Sequence, residues 1–137
     1  MTAATADGSV PGASTPTVWE RRNLRLLVVF APVLIVAGVA GLTLPPSWSL
    51  MSGAPPYDFF HIGFGLVGGL IAWRRSIGGA VLFNFAFGLG DLYQAFAGVT
   101  GVFPATVFQL RPADHVVHVV LGALLTGFAV RAARSRA

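Results

Sequence analysis

Residues 111–130 read RPADHVVHVVLGALLTGFAV, and this stretch decides the class of protein. It opens with an arginine and an aspartate, and nearly uninterrupted apolar residues follow. A helix needs about 20 mostly apolar residues to cross the hydrocarbon core of a bilayer. The stretch therefore predicts a membrane-spanning helix from Asp114 to Val130, with His115 and His118 in its first turns.

The composition of the whole chain supports this interpretation. Of its 137 residues, 55% are hydrophobic and 10% are charged, and the mean hydropathy is +0.74. Soluble domains carry about 25% charged residues, so this chain is expected to cover its apolar surface with lipid. The absence of cysteine excludes disulfides, thiolate metal sites and lipid-modified cysteines. We therefore expect the lipid bilayer to be its main partner.

Three further segments have the length and composition of membrane spans. Together with the segment already described, they give four predicted spans, at about residues 24–44, 57–73, 77–97 and 114–130. Residues 1–20 are polar, contain Pro and Gly, and have no basic region directly before an apolar core, which predicts a disordered tail and not a signal peptide. Residues 21–131 would form the membrane domain and 132–137 a cytoplasmic tail. The predicted fold is all-α, an integral membrane four-helix bundle.

The arginines orient the predicted spans, because positive charge accumulates on the cytoplasmic side of a membrane. If both termini are cytoplasmic, eight of the nine arginines share that side: Arg21, Arg22, Arg25, Arg74, Arg75, Arg131, Arg134 and Arg136. Only Arg111 falls on the other side, where the loops 45–56 and 98–113 would cap the bundle. The net charge of +4 therefore comes from arginines that orient the predicted spans. Because these arginines do not form a soluble basic face, we expect no nucleic-acid partner.

A shift of 57 residues aligns the chain with itself without a gap. The matched residues include Pro55 with Pro112, His61 with His118, Gly65 with Gly122, and Arg74 with Arg131. This internal repeat predicts two tandem helical hairpins of the same topology, related by an axis along the membrane normal. His61 and His118 would then lie at equal depth on parallel helices, with imidazoles within roughly 10 Å of each other.

Helical spacing places polar and small residues on one face of three spans. These are Asp58, His61 and Gly65 in the second span, Asn84 and Asp91 in the third, and Asp114, His115, His118 and Gly122 in the fourth. Ionisable groups inside a membrane are costly and mark candidate functional sites. We therefore expect a polar pocket between these three spans near the outer surface. Asn84 is expected to form an interhelical hydrogen bond, and the first span to be the most lipid-exposed.

The motif PADHVVHVVLG at residues 112–122 resembles the Asp-Asn-x-x-His-x-x-x-Gly signature of a domain-of-unknown-function family. Its members are small bacterial, mainly actinobacterial, four-span membrane proteins. Asp114, His118 and Gly122 match the signature, whereas His115 stands where the family usually has Asn. YDFFHIGFG at residues 57–65 is similar to the family's second span. The resemblance implies a four-helix fold in the bacterial inner membrane and no known activity.

Three functions remain open from the sequence. A scaffold or accessory subunit, as a homo-oligomer or in a larger membrane complex, would use the polar cluster to hold its helices together, and this is the function we expect. A redox protein would bind haem b between His61 and His118, with Gly65 and Gly122 leaving room for the macrocycle. A divalent transition metal would instead take its ligands from His61, His115, His118, Asp58, Asp91 and Asp114. A transporter or lipid-handling protein would use the outer pocket.

An enzyme is disfavoured, and no catalytic residue is predicted. The pocket offers no nucleophilic serine with a placed base. The Gly-x-Gly-x-x-Gly match at residues 63–68 lies inside a helix with no strand before it, which excludes a dinucleotide site.

Overall fold

A computed structural model describes residues 15–136, with the side chain of Pro46 excepted. Over that range the chain is all-α, which confirms the predicted class. The four long helices are α1 (Val18–Thr43), α2 (Pro55–Trp73), α3 (Ile77–Thr100) and α5 (Pro112–Arg134). A 3₁₀ helix at Pro46–Trp48 and the short helix α4 at Ala105–Phe108 lie in the two longer connections.

Two helices in the described part of the chain, α1 and α5, are long and apolar enough to cross a membrane by length and composition alone. Helices α2 and α3 have similar lengths, but polar side chains interrupt their apolar sequences. These are Asp58 and His61 in α2, and Asn84, Asp91 and Gln94 in α3. All but His61 are buried within the protein, and His61 is half-buried. The polar residues of α2 and α3 therefore face other helices.

Helix α1 begins inside the tail predicted for residues 1–20. The Thr17 backbone N–H donates to Glu20 Oε2 (2.7 Å), and the Glu20 N–H donates to Thr17 Oγ1 (3.3 Å). This reciprocal pair is a capping box, and it starts the helix at Val18. The helical part of the chain is therefore longer than predicted. Residues 1–14 and residue 137 lie outside the described residues.

Helix α1 has an apolar buried face and an outward face, and about half of its residues are exposed. The expectation that it is the most lipid-exposed span stays a prediction. Helix α1 packs most closely on α2 and also contacts α3 and α5. Its Leu27 and Ala31 are fully buried. Phe30 packs edge-on against Phe87 of α3, with ring centroids 5.4 Å apart. The buried face of α1 is mostly apolar and contacts three other helices.

Two glycines allow close helix pairs. A Cβ atom on Gly65 of α2 would lie 2.6 Å from a side-chain carbon of Ile35 in α1. A Cβ atom on Gly122 of α5 would lie 2.8 Å from a side-chain carbon of Leu92 in α3. Small residues let helix backbones approach closely, and these two pairs, α1–α2 and α3–α5, share the most extensive contacts in the fold.

Candidate functional site

Tyr57 contacts both of the histidines that the repeat singled out. Its hydroxyl lies 2.8 Å from Nε2 of His118. Its ring centroid is 4.2 Å from that of His61 and 5.9 Å from that of His118, so the two imidazoles lie within about 10 Å of each other. Tyr57 and His118 are both buried. This hydrogen bond joins the N-terminal ends of α2 and α5.

Tyr57 was not among the predicted site residues, because in the sequence it stands only at the start of the second predicted span. Its position four residues before His61 put it on the same helix face. Phe108 of α4 packs on the other side of this cluster, with ring centroids 5.4 Å from both Tyr57 and Phe60. The short helix α4 thus covers the polar cluster at this end of the protein.

Asp114 anchors a loop to the start of α5. It is fully buried, and its Oδ2 accepts hydrogen bonds from the backbone N–H groups of Ser52 (2.9 Å) and Arg111 (2.7 Å). The Ser52 hydroxyl also donates to the carbonyl of Phe108. Asp114 therefore holds together the loop before α2, the connection after α4 and the first turn of α5. Ser52 was not identified from the sequence, because nothing local shows which carboxylate a loop N–H will meet.

Asp58 and His115 each lie against a glycine of a neighbouring helix. A Cβ atom on Gly41 of α1 would overlap the Asp58 carboxyl group, and one on Gly98 of α3 would overlap the His115 ring. Among residues 15–136, neither Oδ2 of Asp58 nor Nδ1 of His115 has a hydrogen-bond partner. Asp91, in the middle of α3, is also buried, with no partner for its Oδ2 in the same range.

The six predicted metal ligands do not surround one point. Within residues 15–136, no three His, Cys, Asp or Glu side chains are grouped closely enough to hold a metal ion. Oδ2 of Asp114 is already engaged by backbone N–H groups, and Asp58 and His115 contact α1 and α3, respectively. Asp58, His115 and Asp114 are therefore each held by a different neighbour.

The predicted haem site does not fit this arrangement either. Haem b with two axial histidines needs one ring nitrogen of each directed at the same iron, with the macrocycle between the two imidazoles. Here Nε2 of His118 is bonded to the Tyr57 hydroxyl, and Tyr57 contacts both imidazoles. Gly65 and Gly122 do not leave room for a macrocycle, because neighbouring helices fill the space beside them.

A cavity of about 430 Å³ opens at the same end of the protein. Its walls come from α1, α2 and the loop at residues 45–53, whereas the sequence predicted a pocket between the second, third and fourth spans. Tyr57, Asp58 and His61 line its α2 side. This cavity shares α2 with the predicted pocket, but α1 with its small side chains forms the opposite wall.

A second polar cluster joins three helices at the opposite end. Asn84 Nδ2 donates to the Asn23 backbone carbonyl (3.1 Å) and to Asn23 Oδ1 (3.0 Å). Asn23 Nδ2 donates in turn to the Phe128 carbonyl (2.9 Å). This confirms the interhelical hydrogen bond expected of Asn84. Asn23 was missed because it precedes the predicted span, although it lies four residues before the buried Leu27.

Comparison of the chain with family models, with curated proteins and with solved structures gives no match in any of the three.

Proposed function

We propose that the chain is a four-span protein of the bacterial inner membrane that serves as a scaffold or accessory subunit. In this proposal it consists of two tandem hairpins, α1–α2 and α3–α5, with both termini in the cytoplasm. We also propose that it belongs to the uncharacterised family that it resembles, on the strength of Asp114, His118 and Gly122. The main support for a scaffold role is the way the polar cluster is used, since its bonds connect helices and loops.

The outward faces of the four long helices support a membrane location. Each carries large apolar side chains that are more than half exposed, among them Val36 on α1, Leu66 on α2, Leu82 on α3 and Val116 on α5. Exposed apolar surface of this extent is unusual on a soluble monomer, and lipid would cover it. The polar residues that lower the hydropathy of α2 and α3, among them Asp58, Asn84 and Asp91, are buried. All four helices can therefore face lipid.

Contacts that recur at an interval of 57 residues support the duplication. The contact between Gly65 and Ile35 corresponds to the contact between Gly122 and Leu92. In the same way, the packing of Asp58 on Gly41 corresponds to the packing of His115 on Gly98. Phe30 and Phe87 are themselves 57 residues apart and pack against each other. Equivalent residues meet in this way when they lie near the axis that relates two copies.

The scaffold role is supported by the Tyr57–His118 hydrogen bond. It joins a residue of the first hairpin to a residue of the second, at the ends of two helices that otherwise share few contacts. Asp114 makes a second link of this kind, because Ser52 belongs to the connection within the first hairpin. Polar bonds between helices hold membrane proteins together in this manner.

We expect reporter fusions to give a topology with both termini in the cytoplasm. Alkaline phosphatase should be active when fused after residue 50 or 108, and inactive after residue 75 or 137. The physical reason is the eight arginines at one end of the helices. A fluorescent protein that matures only in the cytoplasm, fused at the same four positions, provides the reciprocal control. The opposite pattern of activities would refute the proposed orientation.

We expect Tyr57→Phe and His118→Ala each to lower the melting temperature of the purified protein only slightly. Interhelical hydrogen bonds in membranes contribute about 0.6 kcal/mol on average. The double variant should lose less than the sum of the two single losses, because both changes remove the same bond. His115→Ala is the matched control, and its effect should add to that of Tyr57→Phe.

His118→Ala and a further variant, His61→Ala, separate a scaffold from a cofactor protein. A haem absorption band in the wild type, lost in both His61→Ala and His118→Ala, would contradict the scaffold proposal. So would a large loss of stability that a chelator reproduces. Native electrophoresis of gently solubilised membranes tests the accessory role directly. The chain should migrate in a species larger than one 14.3 kDa chain with its bound detergent, and a strict monomer would argue against that role.

A further inference from the structure

We propose that the cavity between α1, α2 and the loop at residues 45–53 binds a small organic cation with an apolar body. Its charged group, a protonated amine, would pair with the carboxylate of Asp58. This inference goes beyond the scaffold role, and binding as such does not depend on the proposed membrane orientation.

Asp58 supplies the polar anchor of the proposed site. Its side chain lines the cavity but is only 2% exposed, and its Oδ2 has no hydrogen-bond partner among residues 15–136. Burying a carboxylate without a partner is costly, and an ammonium group that donates to it would remove that cost. Gly41 makes room for the carboxyl group, because any side chain there would displace it. Oδ2 of Asp58 therefore favours a ligand that donates hydrogen bonds and carries positive charge.

The remaining lining fits an apolar ligand body. Ala37 and Ala40 of α1 present small side chains to the cavity, and Leu50 and Met51 of the loop add apolar surface. A volume of about 430 Å³ suits a small ligand, because ligand pockets generally measure roughly 300–1,000 Å³. Mostly apolar walls with a single buried carboxylate select a compact amine over a sugar or a nucleotide.

Aromatic side chains favour a cation further. Tyr57 lines the cavity beside Asp58, and Trp48 lines it from the 3₁₀ helix. The faces of such rings attract ammonium groups. One positive charge, the exposed Arg111, is bonded to the Ser49 carbonyl at the edge of the cavity (3.0 Å). Because solvent screens an exposed charge, Arg111 opposes a buried cation only weakly.

The test is equilibrium dialysis of protonated 2-phenylethylamine against the full-length protein in lipid nanodiscs. Propylbenzene, an uncharged analogue of similar size, and phenylpropionate, an anionic one, are compared with it. Nanodiscs without protein correct for partition into lipid. We expect the amine to bind and the anion not to bind. Asp58→Asn keeps the shape of the side chain but removes its charge, and should weaken amine binding about tenfold or more, since hydrogen bonds to charged groups are worth more than neutral ones.

The matched control is Asp91→Asn, which neutralises another buried carboxylate that lacks a partner but does not line this cavity. It should bind the amine as the wild type does. Ala40→Leu fills the cavity from α1 while Asp58 itself is unchanged, and should also abolish binding. This second variant keeps the proposal testable if Asp58→Asn does not fold. The proposal is overturned if the amine and propylbenzene bind equally well, or if Ala40→Leu binds the amine as the wild type does. It is also overturned if Asp58→Asn and Asp91→Asn weaken amine binding equally.

Discussion

Replacing Asp114 with alanine should cost the protein about 2–4 kcal/mol of stability. A buried hydrogen-bond donor that loses its acceptor costs about 1–3 kcal/mol, and of the two donors affected here the Arg111 N–H is only partly buried. The change leaves the N–H groups of Ser52 and Arg111 without the carboxylate oxygen that both now share. It also releases the loop before α2 from the first turn of α5. Thermal unfolding in detergent, followed by the helical circular-dichroism signal, measures the loss.

Asp114→Asn provides the control for this expectation. The amide keeps one oxygen that can accept from the same two N–H groups, but it lacks the negative charge favoured at a helix N-terminus. Its loss of stability should therefore be clearly smaller than that of the alanine variant. If Asp114→Ala unfolded at the wild-type temperature, the loop would not depend on this contact, and the scaffold interpretation of Asp114 would fail.

Gly122→Val should destabilise the α3–α5 pair by about 1–3 kcal/mol, the usual range for added volume in a packed interior. A Cβ atom there would lie 2.8 Å from the Gly88 backbone carbonyl oxygen, which cannot move aside without shifting α3. Gly65→Val in the first hairpin should cost a similar amount, because a Cβ there would lie 3.0 Å from the Ala31 carbonyl oxygen. Unfolding in detergent measures both.

Gly127→Val on the same helix is the matched control. A Cβ atom at Gly127 would meet no other atom within 4 Å, so the substitution should change stability by less than about 0.5 kcal/mol. Equal effects at residues 122 and 127 would mean that close approach of α3 and α5 is not what the glycine provides. Unequal effects at residues 65 and 122 would weaken the case for two equivalent hairpins.

Local sequence carried much of the information about this protein. Apolar runs of helical length predicted an all-α chain, and the helical period identified which faces of α2, α3 and α5 carry polar side chains. The 57-residue interval paired His61 with His118, and both lie against Tyr57. These features depend on spacing along one helix or on comparison of the chain with itself, so no knowledge of the packing was needed.

Tertiary structure decided which partner each polar residue meets. Helical periodicity gives the direction of a side chain relative to its own axis, but it does not identify the neighbouring helix or loop that side chain will contact. The Asp58 carboxyl therefore lies over Gly41 of α1, and Asp114 meets the Ser52 N–H, 62 residues away in sequence. The contacts of α1 with α2, α3 and α5 escaped prediction for a related reason. An apolar face packs equally well against lipid and against other helices, and only the assembled fold distinguishes the two.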